Sequence, residues 1–440
     1  MHISVIGCGY LGAVHATCMA ELGHDVVGID VDAGKVDLLN SGKAPFHEPG
    51  FDELLARQVS GGRLRFSTDY ADVRDAQVHF IAVGTPQSEE GYAADMTYVD
   101  AAVAGLIPHL VEHPDGPTLV VGKSTVPVGT AARLAAQVGG SPAHLVWNPE
   151  FLREGFAVQD TLTPDRIIYG LPGDPDAAEA SGAVLDAVYT SMLAAGIPRL
   201  TADYATAELV KVAANSFLAT KISFINAMAE LCEATGADVT VLAEAIGHDD
   251  RIGPKFLRAG VGFGGGCLPK DIRAFMARAG ELGVDQALTF LREVDTINTR
   301  RRTAAVELAH RLLGGTFSGK RVAVLGAAFK PDSDDMRNSP ALDIANAIAG
   351  QGARVIITDP AAGPKLAKSR PDMDVAADAF EAAKDADLVL LLTEWRQFRD
   401  LDPAELREVV ASPQIIDGRN VLDPAAWRAA GWTYHGVGRP

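Results

Sequence analysis

A glycine-rich turn near the N-terminus constrains the fold of this chain more than any other feature. Gly7-Cys8-Gly9-Tyr10-Leu11-Gly12 directly follows a short apolar run, Ile3–Ile6, and precedes a helical stretch. In a strand–turn–helix unit the first glycine permits a tight turn, the second lets the backbone approach a pyrophosphate, and the third allows close helix–strand packing. Gly7, Gly9 and Gly12 therefore predict a dinucleotide site, with the pyrophosphate at the helix N-terminus.

Three residues at the ends of later strand-like runs extend this site. Asp30 ends the run Val26–Asp30, where a carboxylate accepts hydrogen bonds from ribose hydroxyls and repels a 2′-phosphate. This favours NAD over NADP. Thr85 and Thr125 follow the runs Val78–Val83 and Leu119–Lys123, and strand carboxyl ends face the ligand crevice of an open sheet. Both are candidates for cofactor contact, although a single Thr there is more typical of a turn or cap.

Alternating strand-like and helical stretches predict an α/β fold with two Rossmann-like parallel-sheet domains joined by a long central helix. The first series of strands ends with His144–Trp147, and Tyr204–Thr235 contains neither Pro nor Gly and has helical periodicity. A second series of strands comprises Arg321–Leu325, Arg354–Thr358, Leu388–Leu392 and Gln414–Ile416. It lacks the full glycine fingerprint, so we expect no dinucleotide there. The expected domains are 1–200 (NAD-binding), 201–300 (central helical and dimerisation region with a cysteine loop) and 301–440 (second α/β domain).

Composition excludes several classes of function. The chain has 39 Lys and Arg against 57 Asp and Glu, a formal charge of −18, so it is a poor binder of nucleic acid or anionic membrane. No apolar run approaches the ~20 residues that span a bilayer, and the N-terminus has no signal-peptide pattern. The four cysteines show neither metal-ligand spacing nor a disulfide pattern. We expect a cytoplasmic protein without a metal.

The segment before Cys267 is unusual because four glycines, at 262, 264, 265 and 266, lie within five residues. Such a loop suits a backbone that approaches a ligand closely. Pro269 marks a helix start, so Cys267 precedes a helix N-terminus, which together with Lys270 stabilises a thiolate. Most free cysteines are small buried thiols, but this context predicts a nucleophile. Asp271 either caps the helix or handles a proton or a water molecule.

Two pairs of polar residues are further candidates. Lys211 and Asn215 are spaced i,i+4 on the expected long helix and share one face. They suit an oxyanion, a sugar hydroxyl or a water, unless they form a solvated stripe. Glu150 and Glu154 are one turn apart if a helix begins at Pro149. Glu150 is then a candidate general base, and the alternative is a surface charge cluster.

Basic residues at loops are informative in such an acidic chain. Lys330 and Arg337 follow the first strand of the second series, where a point charge and a planar fork can hold phosphates. Arg251 precedes the glycine loop and is another candidate for anion binding.

Over nearly its whole length, and in order, the chain resembles the UDP-glucose/GDP-mannose dehydrogenase family. The resemblance implies a four-electron oxidation of the C6 alcohol of a nucleotide sugar to a carboxylate with two NAD⁺, through a thiohemiacetal and a thioester on Cys267. It also implies that 301–440 binds a UDP-sugar. The Arg251–Leu257 run resembles the UDP-glucose type more than the GDP-mannose or N-acetylmannosamine types. The motifs that carry the resemblance are Gly7–Gly12, Ser124–Pro127, Asn148–Leu152, Lys211 with Asn215, the Cys267 loop, and Phe329–Pro331 with Arg337.

The resemblance also implies a role for each candidate residue. The catalytic residues are Cys267, Lys211, Asn215, Asp271, Glu150 and Thr125. The cofactor-binding residues are Gly7, Gly9, Leu11, Gly12, Asp30, Lys35, Thr85, Thr125, Glu154, Lys270 and Arg337. The substrate-binding residues are Glu150, Phe151, Leu152, Arg153, Glu154, Lys211, Asn215, Arg251, Phe256, Leu257, Arg258, Ala259, Gly260, Gly264 and Lys330.

Arg251 matches a residue that reaches a neighbouring subunit's site, so we expect a homodimer or a larger homo-oligomer. Two positions depart from the family pattern: Leu11 stands where Val is common, and Gly266 stands where Ser is frequent.

Two other functions are consistent with parts of the pattern. A one-step dehydrogenase of the 6-phosphogluconate or hydroxyacid type would share the first domain, the long helix and a Lys–Asn pair, but would need neither the cysteine loop nor the second α/β domain. A catalytically silent protein that senses NAD and nucleotides would not need Cys267, Lys211 and Glu150.

Overall fold

A computed structural model describes residues 1–89 and 91–440, which form two compact units. The first unit contains residues 1–214 and 273–283, and the second contains residues 215–272 and 284–440. Each unit is built on a mainly parallel sheet. The expected fold, with two Rossmann-like sheets and a long central helix, is confirmed.

The sheet of the first unit has eight strands in the order β3-β2-β1-β4-β5-β6-β7-β8. All neighbouring pairs are parallel except β6 and β7. The strands are β1 (His2–Ile6), β2 (Asp25–Ile29), β3 (Leu64–Ser67), β4 (Val78–Ile81), β5 (Thr118–Gly122), β6 (Ala143–Trp147), β7 (Ile167–Gly170) and β8 (Arg199–Ala202). The five expected strands are confirmed with small shifts at their ends, and β3, β7 and β8 are additional.

Helices pack on both faces of this sheet and create two apolar cores, one containing Phe80 and Tyr169 and the other containing Trp147. The helices are α1 (Tyr10–Glu21), α2 (Ala33–Asn40), α3 (Phe51–Ser60), α4 (Thr97–Leu106), α5 (Thr130–Val138), α6 (Ala157–Leu162), α7 (Pro175–Val188) and α8 (Thr190–Ala194), with short 3₁₀ helices at Tyr70–Val73 and Ile107–His109.

The long helix α9 (Tyr204–Thr235) has the bounds that the sequence predicts. It begins in the first unit and continues into the second. It ends where Gly236 adopts a φ of 73°, a backbone conformation that glycine tolerates best. Further along the chain are α10 (Val239–Gly247), α11 (Leu268–Glu281), a 3₁₀ helix (Asp285–Leu288) and α12 (Thr289–Leu312).

The sheet of the second unit has six parallel strands in the order β11-β10-β9-β12-β13-β14. The strands are β9 (Arg321–Leu325), β10 (Arg354–Thr358), β11 (Asp374–Val375), β12 (Leu388–Leu391), β13 (Gln414–Asp417) and β14 (Thr433–Gly436). The helices are α13 (Pro340–Ala349), α14 (Gly363–Ser369), α15 (Ala379–Ala383), α16 (Arg396–Arg399), α17 (Pro403–Arg407) and α18 (Pro424–Ala429). No helix within residues 1–89 and 91–440 combines the length and the apolar character needed to cross a membrane.

Candidate active site

The glycine turn joins β1 to α1 and leaves room for a ligand at one position. A Cβ on Gly7, whose φ is 91°, would lie 2.6 Å from Val83 Cγ1, and a Cβ on Gly12 would lie 1.8 Å from the Gly7 carbonyl oxygen. Packing therefore requires both glycines. A Cβ on Gly9 would meet no atom within 4 Å. The space in front of Gly9, at the N-terminus of α1, thus fits a dinucleotide pyrophosphate.

Asp30 is held in a fixed position after β2. Its carboxylate accepts the backbone N–H of Cys8 at 2.8 Å and that of Asp32 at 3.0 Å, and it forms an ion pair with Lys35 at 2.8 Å. Two predicted cofactor residues, Asp30 and Lys35, are therefore in direct contact. The fixed carboxylate suits a ribose diol, which together with the open space at Gly9 fits NAD.

Thr85 and Thr125 lie at the ends of the neighbouring strands β4 and β5 and touch each other. The Thr85 hydroxyl donates to the Thr125 carbonyl oxygen at 2.8 Å. Ser124 stabilises the same junction because its hydroxyl donates to the Val83 carbonyl oxygen at 2.6 Å. The two threonines therefore belong to one edge of the sheet, as the strand-end argument predicts.

Glu150 and Lys211 form a buried ion pair in the first unit. A Glu150 carboxylate oxygen lies 2.9 Å from Lys211 Nζ, and the two side chains are only 11% and 6% exposed. The other oxygen accepts the Leu152 N–H at 2.7 Å. Lys211 Nζ also lies 5.6 Å from the centre of the Phe151 ring. Because Lys211 and Asn215 are both buried, the alternative of a solvated stripe is wrong.

No helix begins at Pro149, so the condition that would place Glu150 and Glu154 one turn apart is not met. Residues 148–154 are irregular, and α6 begins only at Ala157, so Glu150 and Glu154 are not one helical turn apart. Sequence reasoning missed Glu48, whose buried carboxylate accepts the N–H groups of Gly155 at 2.6 Å and Ala157 at 2.7 Å.

Two further substrate candidates of this segment have different surroundings. The side chain of Leu152 packs against the apolar core of the sheet. Arg153 is largely exposed and pairs with Asp160 of α6 at 2.7 Å. Glu48 was missed because it does not belong to a periodic helix or strand pattern. The only feature around it in the sequence is Glu48-Pro49-Gly50, which is typical of a loop.

Cys267 lies directly before α11, as predicted. Its carbonyl oxygen accepts the Asp271 N–H at 2.9 Å, which is the first hydrogen bond of the helix, and its side chain is exposed. The other three cysteines in the described part of the chain are buried and free. Burial raises the pKa of the Cys18 thiol to about 12 and also raises the pKa of Cys8 and Cys232. Cys267 is therefore the accessible thiol, at a position that favours thiolate.

Asp271 connects the helix of Cys267 to α9. One carboxylate oxygen lies 2.7 Å from Lys270 Nζ, and the other accepts Asn215 Nδ2–H at 2.7 Å. The side chain of Asp271 is 2% exposed. The structure thus brings together three predicted residues, and the carboxylate has a fixed orientation.

The glycines before Cys267 make close contact with the protein itself. A Cβ would lie 2.5 Å from Asn298 Oδ1 at Gly262 and 2.3 Å from the Asn338 carbonyl oxygen at Gly264. At Gly265 it would lie 2.8 Å from the Phe329 ring, and at Gly266 it would lie 2.3 Å from Arg337 Cζ. Packing within the second unit therefore constrains Gly262, Gly264 and Gly265, and the approach of this loop to a ligand stays a prediction. At Gly266, where Ser is frequent in the family, the nearest atoms belong to the Arg337 guanidinium.

The remaining candidates of the second unit fall into three settings. Leu257 and Ala259 are buried in an apolar core, so only their backbone can meet a ligand. Gly260 is fixed because its N–H donates to Asn226 Oδ1 at 2.8 Å. The exposed residues are Phe256, whose φ is 64°, and Arg258.

Three predicted basic residues of this unit lie at loops. Arg251 is at the surface and pairs with Asp249 at 2.6 Å. Arg337 makes a forked contact with Asp335, the closest distance being 2.7 Å. Lys330 Nζ lies 5.3 Å from the centre of the Phe329 ring.

Sequence reasoning missed Arg419, which follows β13. Its guanidinium donates to the carbonyl oxygens of Leu392 at 2.7 Å, Gly262 at 2.9 Å and Phe329 at 3.4 Å. Burial lowers the pKa of this guanidinium. Arg419 therefore ties the cysteine loop to the segment that carries Lys330. The sequence feature that could have identified Arg419 is its position shortly after a predicted parallel strand.

Comparison with known proteins covers the whole chain. Residues 1–193, 205–300 and 323–424 match the NAD binding, central and UDP binding domains of the UDP-glucose/GDP-mannose dehydrogenase family. A UDP-glucose 6-dehydrogenase of Rhizobium meliloti is 41% identical over 100% of both chains, and TuaD of Bacillus subtilis is 39% identical over 100% of this chain and 93% of its own. The solved structure of a UDP-glucose dehydrogenase from Pyrobaculum islandicum has a TM-score of 0.89 at 38% identity, covering 100% of this chain and 98% of that one.

Proposed function

The chain belongs to the UDP-glucose/GDP-mannose dehydrogenase family, and from that premise we propose a mechanism in which Cys267 holds the half-oxidised sugar. The activity is that of a UDP-glucose 6-dehydrogenase, which converts UDP-glucose to UDP-glucuronate with two NAD⁺. Bound NAD⁺ supplies the hydride acceptor for both oxidations. The observation that carries the proposal is the exposed Cys267 at the N-terminus of α11.

Cys267 acts as the nucleophile on the aldehyde-level C6. Its thiolate, favoured by the helix N-terminus, attacks this carbon to give a thiohemiacetal. Loss of the second hydride leaves a thioester on Cys267, and water hydrolyses the thioester to release the carboxylate and the thiol. Covalent capture divides a difficult oxidation into easier steps.

Asp271 and Asn215 act on protons and water close to the cysteine. Since Asn215 and Lys270 hold both carboxylate oxygens, Asp271 keeps its orientation. We assign to Asp271 the ordering of the hydrolytic water, and to Asn215 the orientation of Asp271 and of the substrate. The Lys270 ammonium adds positive charge next to the thiolate.

Glu150 and Lys211 act on the oxygen at C6. The ammonium of Lys211 stabilises negative charge that develops on this oxygen, and Glu150 exchanges a proton with it or with water. Thr125 lies at the strand end that Thr85 braces. Burial strengthens these interactions because little water screens them.

We assign the binding residues in the same way. The first unit holds the dinucleotide through the Gly7–Gly12 turn and Asp30, with Leu11, Lys35, Thr85 and Glu154 as further contacts. The second unit carries Lys270 and Arg337, which match cofactor contacts of the family. Its Phe256–Gly260 segment, Gly264 and Lys330 bind the nucleotide sugar, while Arg251, Phe151, Leu152 and Arg153 are more distant contacts.

The decisive experiment replaces Cys267 with Ala and counts products. The wild type should form two NADH for each UDP-glucose consumed. Cys267→Ala should form no UDP-glucuronate and still bind NAD⁺, whereas Cys232→Ala, a buried thiol outside the site, should retain the stoichiometry of the wild type. Acid formation by Cys267→Ala would refute the covalent route. A single NADH from the wild type would favour a one-step dehydrogenase.

We also propose a homodimer. Three large apolar side chains, Phe217, Phe224 and Leu231, recur every seven residues on α9 and are 68%, 49% and 58% exposed. A stripe with this period can pack against its own copy. Phe224→Asp should halve the mass measured by light scattering. Phe380→Asp, at an exposed Phe on α15, should leave the mass unchanged.

A cytoplasmic location is the last proposal, and it is supported by the absence of a disulfide among the described residues. Disulfide formation in the protein isolated from its native cell would contradict it.

A further inference from the structure

Lys123 is a buried lysine that the mechanism above does not use. It directly follows β5, and the residue is 8% exposed. Its ammonium donates to Asn148 Oδ1 at 2.9 Å and lies 3.4 Å from the Asn148 carbonyl oxygen. Asn148 directly follows β6, the parallel neighbour of β5. The contact therefore joins the two strand ends from which Thr125 and Glu150 emerge.

The Asn148 amide has a single possible orientation. Its Oδ1 also accepts the Tyr189 hydroxyl at 2.7 Å, and its Nδ2–H donates to the Ile168 carbonyl oxygen at 2.8 Å. Lys123 thus contacts neutral oxygens, and no carboxylate of the described residues is within ion-pair distance of its Nζ. Burying a cation in this way costs free energy. Burial, with the Lys211 charge, lowers the pKa of Lys123 to about 8, although Glu150 opposes the change.

The charge of Lys123 acts on a pair that is otherwise neutral. Glu150 and Lys211 cancel each other at 2.9 Å, so Lys123 gives the three groups together a net positive charge. A nearby cation favours the ionised form of a carboxyl and disfavours the protonated form of an amine. In a buried setting such effects act over longer distances than in water.

We propose that Lys123 is a positioning residue that fixes the strand end carrying Glu150 and places an additional positive charge near the Glu150–Lys211 pair. The inference rests on the proposed role of that pair. By keeping the cluster net positive, Lys123 helps it to stabilise negative charge on the reacting oxygen.

The other groups around Lys123 do not take over this role. The titratable and charged residues that face it or line the adjacent cavity of about 40 Å³ are His15 of α1, Glu150, Asp160 of α6, Arg166 before β7, Tyr189 after α7, and Lys211 of α9. Burial, together with Lys123, holds the pKa of His15 far below its usual value, so His15 is neutral. Burial raises the pKa of Tyr189, which is also neutral. Asp160 pairs with Arg153, and Arg166 lies 3.8 Å from the Phe151 ring centre.

The test is the pH dependence of kcat in Lys123→Gln, which removes the charge but keeps a donor for Asn148. Loss of the charge removes a cation that favours ionised carboxyl groups near it, so the acidic limb of the profile should move to higher pH. At neutral pH, kcat should fall about tenfold. The KM for UDP-glucose should change by less than about twofold, since the hydrogen bonds of the Lys123 ammonium go to Asn148.

Tyr189→Phe is the matched control because it removes the other donor to Asn148 Oδ1 without changing charge. Its pH profile should coincide with that of the wild type. Lys123→Arg keeps the charge and should restore the profile of the wild type, with the adjacent cavity accommodating the larger group. An unmoved profile in Lys123→Gln, or an equal shift in Tyr189→Phe, overturns the proposal. Failure of the wild type to oxidise UDP-glucose would instead overturn the proposed function.

A second measurement does not depend on activity. Lys123 has a folded-state pKa of about 8, below the value of about 10.4 for an unfolded chain. Between these two values the unfolded state binds more protons, so the stability of the wild type rises with pH. Hence the Tm of the wild type minus that of Lys123→Gln should increase between pH 8 and 10. A constant difference over this range would show that the ammonium is not buried as described, and would overturn the proposal.

Discussion

The two sheets of this protein share the strand order of a Rossmann fold but differ at the turn after their first strand. In the first unit only residues 7–9 separate β1 from α1, and in the second unit residues 326–339 separate β9 from α13. A helix N-terminus therefore directly follows the turn in one sheet only. Backbone N–H groups and the helix dipole, which attract a phosphate, are available there.

The acidic residue after the second strand of each sheet shows the same contrast. Asp30 accepts two backbone N–H groups and pairs with Lys35. Asp359 accepts five donors: the N–H groups of Ala327, Ala328, Ala361 and Ala362, and the indole N–H of Trp395. The protein's own groups thus saturate the second carboxylate. Strand order alone does not create a dinucleotide site, because the site also needs an open turn and an acid with spare acceptor capacity.

The sharpest test of this contrast is Gly9→Val. Gly9 has φ −69° and ψ −165°, which any residue adopts, and a Cβ there meets no atom within 4 Å. The fold should therefore survive, while the side chain fills the space for the pyrophosphate. The dissociation constant of NAD⁺ should rise at least about 100-fold, which is about 3 kcal/mol. Calorimetric titration measures the affinity, and a Tm close to that of the wild type serves as the control.

Affinity that survives in Gly9→Val would remove the basis for assigning the cofactor to this turn. Gly12→Ala provides the opposite case, because its Cβ would lie 1.8 Å from the Gly7 carbonyl oxygen. That variant should lose stability as well as binding.

The next test concerns the second sheet. In the wild type, the N–H groups of Ala327 and Ala328 and the Trp395 indole share one carboxylate oxygen of Asp359. Asp359→Asn replaces one carboxylate oxygen with an NH₂ group, which cannot accept these hydrogen bonds. We expect the free energy of unfolding to fall by about 2 kcal/mol, as for loss of hydrogen bonds to a charged group. Urea denaturation measures this change. The affinity for NAD⁺ should stay within twofold, and a large loss of affinity would mean that the second sheet contributes to dinucleotide binding.

Elements with a regular pattern of apolar residues could be predicted from the sequence, and elements without such a pattern could not. Buried parallel strands such as β12 are continuous apolar runs, and α9 is a long segment without Gly or Pro, so both were predicted. The edge strand β8 is largely exposed, and β11 has two residues, so neither has a hydrophobic pattern. The long helix α12 was missed because polar residues, Asn298 and Arg301, occupy buried positions on it.

For the active site, the sequence identified residues and not their partners. The fingerprint and the position of Cys267 are local patterns, and they were read correctly. Asn215 and Asp271 are 56 residues apart, and only the folded chain brings them together. The sequence singled out the glycines of the cysteine loop but not their neighbours, because Asn298, Phe329 and Arg337 come from distant segments. Lys123 and Arg419 were missed because a buried cation at a strand end looks like an ordinary loop residue.

The smallest expected effect concerns Asp30→Asn, which tests the choice of cofactor. The amide keeps an acceptor for the Cys8 N–H but removes the charge that repels a 2′-phosphate, and it releases Lys35 from its ion pair. The ratio of kcat/KM for NAD⁺ to that for NADP⁺ should fall about tenfold, which is about 1.4 kcal/mol. Asp32→Asn makes the same change of charge two residues away, at an exposed position where the side chain caps α2. An equal fall in that control would contradict the assignment, because it would show that any loss of negative charge in this region has the same effect. A carboxylate that contacts the ribose hydroxyls must instead act specifically at the end of β2, where Asp30 lies.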